Sequence, residues 1–210
     1  MTVLLVSFFI TGCGAQQVIV NSQFPQPVVD PLPLTVGVHF SDEFKSHTFV
    51  DDPESKTERS WIVETGLAQV NLWQTVLGSL FEGIVYLDAP PSPEAPASQV
   101  DGVITPVIAD LQYAIPTQTN TSIYEIWLRY DINLSTAQGE SVAQWSMTGY
   151  GKTPEAFMLG AQDAVEAAAI VALRDAGANF IVNFGQQPEV KGFLEQHVKA
   201  VHSESTRDEN

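Results

Sequence analysis

One alternating run near the middle of the chain constrains the fold more than any other feature. In residues 122–135 the even-numbered side chains from position 124 onward are all apolar or aromatic. Successive side chains of a β-strand point to opposite faces of the sheet, so this pattern predicts a long strand with one buried face. We expect Tyr130 and Ile132 in the core. The opposite face carries mostly polar side chains together with Trp127.

Four further segments have the composition of strands. They are Leu34–Phe40, Ile84–Leu87, Gly102–Ile115 and Ser141–Tyr150. Residues 136–140, which precede the last of these, predict a hairpin turn in which Gly139 can take a positive φ.

Two segments have helical character. Apolar residues recur at spacings of three and four within Trp61–Phe81. Thr153 and Pro154 predict the cap and first position of a second helix, which runs to about Ala176 and is ended by Gly177. Together these elements indicate an α+β fold, with a mainly antiparallel sheet of four to five strands packed against two helices.

The beginning of the chain has the pattern of an export signal. The apolar run Val3–Ile10 is followed by small residues and by Cys13, which is the single cysteine. The run is too short to cross a bilayer of about 30 Å as a helix. The sequence Ile10-Thr11-Gly12-Cys13 resembles the lipobox of bacterial lipoproteins. This resemblance implies that Cys13 is lipidated and becomes the mature amino terminus. Gly14 at the next position is similar to the pattern that is sorted to the outer membrane.

These features divide the chain into four parts. We expect a signal peptide over residues 1–12 and a Pro- and Gln-rich tether over 13–33, which begins at the lipidated cysteine. A single α+β domain over 34–201 and a disordered tail over 202–210 follow. An extended tether would hold the domain up to roughly 60 Å from the membrane. Because no Lys or Arg precedes the apolar run, the natural start is expected upstream of Met1.

The charge of the chain excludes two classes of partner. Nine Lys and Arg stand against twenty-five Asp and Glu, which gives a net charge of −16. Such a field repels phosphate backbones, so we expect no nucleic-acid binding. It also opposes adsorption on anionic lipid, so membrane attachment is expected to depend on the acylated cysteine.

No residue pattern in the sequence predicts catalysis. The histidines lack the i, i+4 spacing of a helical zinc site, and no serine lies in a Gly-x-Ser-x-Gly elbow. The acidic pairs 42–43 and 51–52 fall in a polar loop, where they should stay solvated. We therefore expect no catalytic residue, no metal ion and no cofactor. The candidates considered and set aside are His39, His47, His197, His202, Ser79 and Asp42.

Trp127 and Arg129 are the candidate residues for contact with a partner. Both lie on the face of their strand that points away from the predicted core, and Trp and Arg are frequent anchors of protein interfaces. If a helix covers that face, Trp127 is instead a core residue. The sequence leaves both alternatives open.

The order of the elements and the aromatic hairpin of residues 127–150 resemble small periplasmic lipoproteins, such as the lipopolysaccharide-assembly and curli-secretion lipoproteins. The resemblance implies the fold. The anchor, the tether and the lack of a catalytic pattern indicate a non-enzymatic accessory or assembly subunit of an outer-membrane or transport complex, with an envelope protein as partner. The alternative is a carrier of a small apolar ligand, held between the sheet and the second helix. The sequence does not determine the oligomeric state.

Replacement of the lipobox cysteine tests the predicted anchor. Cys13→Ser removes the thiol that would accept the lipid, so we expect an uncleaved or soluble protein. Mass spectrometry of the intact chain and membrane fractionation measure both properties. A Cys13→Ser chain that is still processed and membrane-bound would contradict the prediction.

Overall fold

The computed structural model describes residues 15–51, 60–119, 122–154 and 160–197. The predicted signal peptide, Cys13 and the predicted tail lie outside the described residues, as do Asp52 and His202. In chain order the strands are β1 (Gln16–Ile19), β2 (Leu32–His39), β3 (Thr48–Asp51), β4 (Trp61–Glu64), β5 (Phe81–Leu87), β6 (Gly102–Ala114), β7 (Ile123–Ser135) and β8 (Ser141–Pro154). The helices are α1 (Asp42–Lys45), α2 (Gly66–Leu80), α3 (Pro116–Thr119), α4 (Ala161–Asn183) and α5, described over 188–197.

The fold is α+β, as predicted, but its main sheet is mixed. The strand order is β5-β2-β6-β7-β8. Strand β2 pairs in parallel with both β5 and β6, whereas β6, β7 and β8 form an antiparallel meander. The prediction of a mainly antiparallel sheet therefore holds for only half of the pairings. The chain returns to β2 through crossover connections, which place the incoming strands parallel to it.

A second, three-stranded sheet was not predicted. Its order is β1-β4-β3, with β4 parallel to β1 and antiparallel to β3. Its side chains Trp61 and Phe49 pack against Tyr113 of β6, with ring centroids 6.4 and 5.6 Å apart. The predicted helix over Trp61–Phe81 is consequently shorter, because its first four residues are strand β4.

Strand β7 has the two faces that its alternation predicts. All six of its even-numbered side chains from Tyr124 to Leu134 are buried. The Tyr130 ring meets Trp73 of α2 edge-on at 5.5 Å, and Trp73 meets Phe180 of α4 at 4.9 Å. The two long helices α2 and α4 thus share one aromatic core with the inner face of the sheet.

The helix after β8 starts later than predicted. Thr153 and Pro154 are strand residues that pair with Tyr124 and Ile123 of β7. Helix α4 begins after Gly160, whose N–H donates to the Asp163 carboxylate at 3.2 Å. Continued pairing of β8 with β7 therefore overrides the helix-capping signal at Thr153.

Helix α4 also ends later than predicted. It continues through Gly177 to Asn183. Gly177 is buried where α2 crosses, and a Cβ there would lie 3.0 Å from side-chain atoms of Leu72 and Val76. This glycine serves the close contact between the two helices and does not end the helix.

The packing of α4 on β8 leaves no room between them at two strand glycines. A Cβ at Gly149 would lie 2.3 Å from the Ala172 carbonyl oxygen, and one at Gly151 would lie 2.1 Å from that of Ala168. The cavity that the carrier hypothesis requires between the sheet and this helix is therefore closed at these positions.

Residues 15–33 do not form the predicted tether. Strand β1 is part of the second sheet, and Val18 and Val20 are 4% and 1% exposed. The Gln17 carbonyl oxygen accepts a hydrogen bond from Gln162 of α4 at 3.2 Å. The tether prediction gave weight to the polar and proline residues, whereas the alternating valines fix the segment to the domain.

Substitution of Tyr130 tests the assignment of the core face. Tyr130→Ala removes a ring that is 0% exposed, so the free energy of unfolding should fall by about 3 kcal/mol or more. The Tyr130 hydroxyl faces the Trp73 indole without a hydrogen bond of normal geometry. Tyr130→Phe, the matched control, should therefore cost less than about 1 kcal/mol. Denaturant melts measure both, and a loss below about 0.5 kcal/mol for Tyr130→Ala would contradict the assignment.

We expect the partly buried His47, just before β3, to make the stability of the protein depend on pH. Burial lowers the pKa of His47 below its usual 6.5, and its Nδ1 lies 2.7 Å from the Thr65 hydroxyl oxygen. Below about pH 6.5 the unfolded chain binds a proton that the folded chain resists, so stability should fall as the pH decreases from there. Chemical unfolding at pH 5 and pH 8 measures the difference, which His47→Gln should reduce. An equal difference in wild type and His47→Gln would contradict this role of His47.

Candidate functional site

The outer face of the β6–β7–β8 meander is the surface that the candidate residues occupy. Helix α4 packs on the inner face of β7 and β8. On the outer face Trp127 is 38% exposed, so it is not the core residue that a covering helix would make it. The register places Gln112 of β6 and Tyr150 of β8 directly beside Trp127. We call this surface the outer meander face.

An aromatic pair forms the centre of the outer meander face. The rings of Trp127 and Tyr150 lie 5.3 Å apart at an interplanar angle of 33°. The Tyr150 hydroxyl donates a hydrogen bond to the Glu125 carboxylate. Because this bond needs the protonated phenol, it raises the pKa of Tyr150 above its usual value. The ring of Tyr150 is thereby held beside Trp127.

Arg129 lies in the next row of the same face. The register places it between Asp110 of β6 and Thr148 of β8. The Asp110 carboxylate instead accepts a hydrogen bond from the Gln112 amide at 2.8 Å. Within the four described ranges Arg129 forms no salt bridge. Among the described residues, nothing therefore occupies its guanidinium group.

The two candidate residues share one shallow cleft. It has a volume of about 310 Å³ and is open to solvent. Its lining consists of Asp110, Gln112, Trp127, Leu128, Arg129 and Thr148. An apolar, aromatic centre with a polar surround is typical of protein interfaces.

Sequence reasoning placed Glu125 on this face beside Trp127, but it did not assign Tyr150 and Gln112 to the surface. Pairing outward from the hairpin turn at 136–140, with Ser135 opposite Ser141, would set Gly149 opposite Trp127. A register shift between Leu134 and Ser135 brings Tyr150 there instead. The position of Gln112 depends on the register between β6 and β7. That register shifts at a bulge between Ile108 and Asp110, so it cannot be counted from the hairpin turn.

Those residues considered for catalysis that the structure describes do not form a linked constellation. The Ser79 hydroxyl donates to the Thr75 carbonyl oxygen of its own helix at 2.8 Å. The Asp42 carboxylate forms a salt bridge to Lys45 at 2.7 Å, and this pairing lowers the pKa of Asp42. His39 is buried, and its Nδ1 has no hydrogen-bond partner among the described residues. In the part of the chain that the structure describes, no three metal-ligating side chains come together.

None of the helices that the structure describes combines the length and the apolar character needed to cross a bilayer.

Comparison with known proteins shows the fold. No family model and no curated protein matches the sequence. A solved protein from Xanthomonas campestris, of the family DUF330, superposes with a TM-score of 0.50 at 11% identity, over 79% of this chain and 92% of that one.

Two other solved structures, which superpose less well, are lipoproteins. A minor lipoprotein from Acinetobacter baumannii has a TM-score of 0.41 at 6% identity, over 73% of this chain and 92% of that one. Lipoprotein B from Nitrosomonas europaea has a TM-score of 0.38 at 14% identity, over 83% and 97%. The likeness to the lipopolysaccharide-assembly and curli-secretion lipoproteins stays a prediction. The chain is similar in fold to the Xanthomonas protein.

Proposed function

We propose that the protein is a lipid-anchored envelope lipoprotein that acts as a non-enzymatic accessory subunit. Its outer meander face docks on another envelope protein, with Trp127 and Arg129 as the anchors. The single observation that carries the proposal is an exposed Trp127 paired with Tyr150, on a sheet whose other face is covered by helices. Beside the pair lies the guanidinium group of Arg129, which forms no salt bridge within the described residues.

The chemistry of the face favours a protein partner. Burial of a Trp–Tyr pair removes a large apolar area from water, and aromatic and Arg side chains carry much of the binding energy of known interfaces. Arg129 can bind a carboxylate of the partner through two parallel hydrogen bonds. The partner surface should therefore offer an apolar or aromatic side chain next to an acidic one.

The anchor, if Cys13 carries it, sets the position of the domain. Only Gly14 and Ala15 separate Cys13 from β1. At about 3.5 Å per residue the acylated residue would lie within about 10 Å of the first strand. We therefore propose that the domain sits at the membrane surface, where it meets partners that are themselves in or at the membrane. The proposed membrane is the outer membrane, because Gly14 follows the cysteine.

The carrier alternative has less support. The predicted ligand space between the sheet and α4 is occupied at Gly149 and Gly151 by the backbone of the helix. The accessory-subunit proposal needs no such space, because it uses the opposite face of the sheet.

Substitutions on the outer meander face test the docking proposal. A photoreactive amino acid at position 112, beside Trp127, should form a covalent adduct with one envelope protein when the full chain is in its native membrane, and mass spectrometry identifies that protein. With that protein purified, Trp127→Ala should weaken binding by about 2 kcal/mol, or roughly thirtyfold in Kd. Arg129→Ala should weaken it in the same direction.

Two matched controls separate docking from a general surface effect. Tyr86→Ala removes an aromatic ring that is 52% exposed on β5. Lys152→Ala removes a cation of β8 at the edge of the outer meander face. Both should bind nearly as wild type. Equal losses in the controls would contradict the assignment of the anchors. A complete loss of envelope function from Ser79→Ala, His39→Ala, His47→Ala or Asp42→Ala, with normal folding and abundance, would contradict the non-enzymatic role.

A further inference from the structure

A second concave surface lies on the helix side of the molecule, away from the outer meander face. It is a groove of about 360 Å³ between the irregular segment 24–29, which we call the strap, and the outer surfaces of α2 and α4. Leu72 and Val76 form its floor from α2, and residues of α4 between Arg174 and Val182 form one wall. We call it the strap groove.

The walls of the strap groove are apolar up to its opening. Leu72 and Val76 are each 2% exposed, whereas Val28 and Val182 are 102% and 68% exposed at the rim. The volume falls within the roughly 300–1,000 Å³ of small-molecule sites, which are likewise mostly apolar. Apolar side chains that stay in water beside such a groove gain free energy when an apolar ligand covers them.

One cationic side chain, that of Arg174, lines the strap groove. Arg174 is the only basic residue of α4 and the only charged one among the described residues that line the groove. Across the described residues it forms no salt bridge. The chain as a whole carries nine Lys and Arg against twenty-five Asp and Glu, so a cation is an uncommon feature of its surface. Apolar walls with a single free cation match the chemistry of an acyl chain that ends in an anionic group.

Among the described residues no hydrogen bond holds the strap, whose Phe24 packs against the core. Residues 24–29 make none in the described part of the chain, and Pro25 and Pro27 have no N–H to donate. The hydrogen bond to α2 nearest the strap is that of the Asn71 amide, which donates to the Ser22 carbonyl oxygen at 3.5 Å. A chain longer than the resting groove can therefore be admitted by displacement of the strap.

We propose that the strap groove binds the acyl chain of a free long-chain carboxylate, with the carboxylate on Arg174. The inference is independent of the proposed docking function, because it uses neither Trp127 nor Arg129. Failure of one therefore leaves the other intact.

Photolabelling of the full-length, lipidated chain in its native membranes tests the proposal. The probe is palmitic acid with a diazirine at the end of the chain, compared with the same probe as the primary alcohol. Light should attach the acid to peptides that contain residues 24–29 or 174–182, as located by mass spectrometry. The acid should label about tenfold more than the alcohol at equal concentration, because only the acid forms a charge-assisted bond with Arg174.

Variants of α4 assign the effect to the groove. Ala178→Trp fills the groove from an exposed position, and Val182→Asp places a negative charge at its rim. Each should reduce labelling by about tenfold or more. Val171→Trp, at an exposed position of α4 outside the groove, should label as wild type. Arg174→Gln should abolish the preference for the acid, whereas Lys191→Gln on α5 should keep it.

Several outcomes would overturn the proposal. They are attachment elsewhere in the chain, equal labelling of Ala178→Trp and Val171→Trp, and a preference for the acid that survives Arg174→Gln. Labelling that appears only in Cys13→Ser would show that the protein's own acyl chain fills the groove, and would also overturn a site for a free carboxylate. Circular dichroism of each variant checks that the fold is retained.

Discussion

The direct contact between helix α4 and the backbone of β8 is the constraint on which the rest of the structure depends. The contact requires glycine at positions 149 and 151, because a Cβ at either would overlap a carbonyl oxygen of the helix. It brings α4 over the edge of the sheet, where side chains of the helix replace a missing strand. Asp175 accepts from the Tyr150 N–H at 2.9 Å, and Asn179 donates to the Thr148 carbonyl oxygen at 3.1 Å. An edge that would otherwise be free to pair with another chain is partly satisfied.

This packing gives the two faces of the sheet different roles. The inner face is filled by the alanine-rich side of α4 and by the aromatic cluster of Trp73, Tyr130 and Phe180. The outer face of the meander is left with an exposed Trp127 and with Arg129, which forms no salt bridge in the part of the chain that the structure describes. We propose that the outer face docks on a protein and that the far side of the helix layer, with Arg174, binds a carboxylate. The two proposed sites thus lie on opposite sides of the molecule.

Some elements could be predicted because local chemistry alone decides them. The alternation of β7 identified its buried face, since the period of two is fixed by strand geometry. Gly139 has the predicted positive φ of 87° in the hairpin turn. Two other local signals failed. The cap at Thr153 is overridden by pairing with β7, and Gly177 lies within α4 at its close contact with Leu72 and Val76 of α2.

The sequence by itself determined the buried face of β7, the acidic character of the chain and the candidate anchor at Cys13. It also placed Trp127 and Arg129 on the outer face of their strand. Only the tertiary structure decided that β2 pairs in parallel with its neighbours, that residues 15–33 pack on the domain, and that a groove lies beside Arg174. Each of these depends on segments far apart in the chain, and the geometry of such contacts is set by packing, which no local pattern contains.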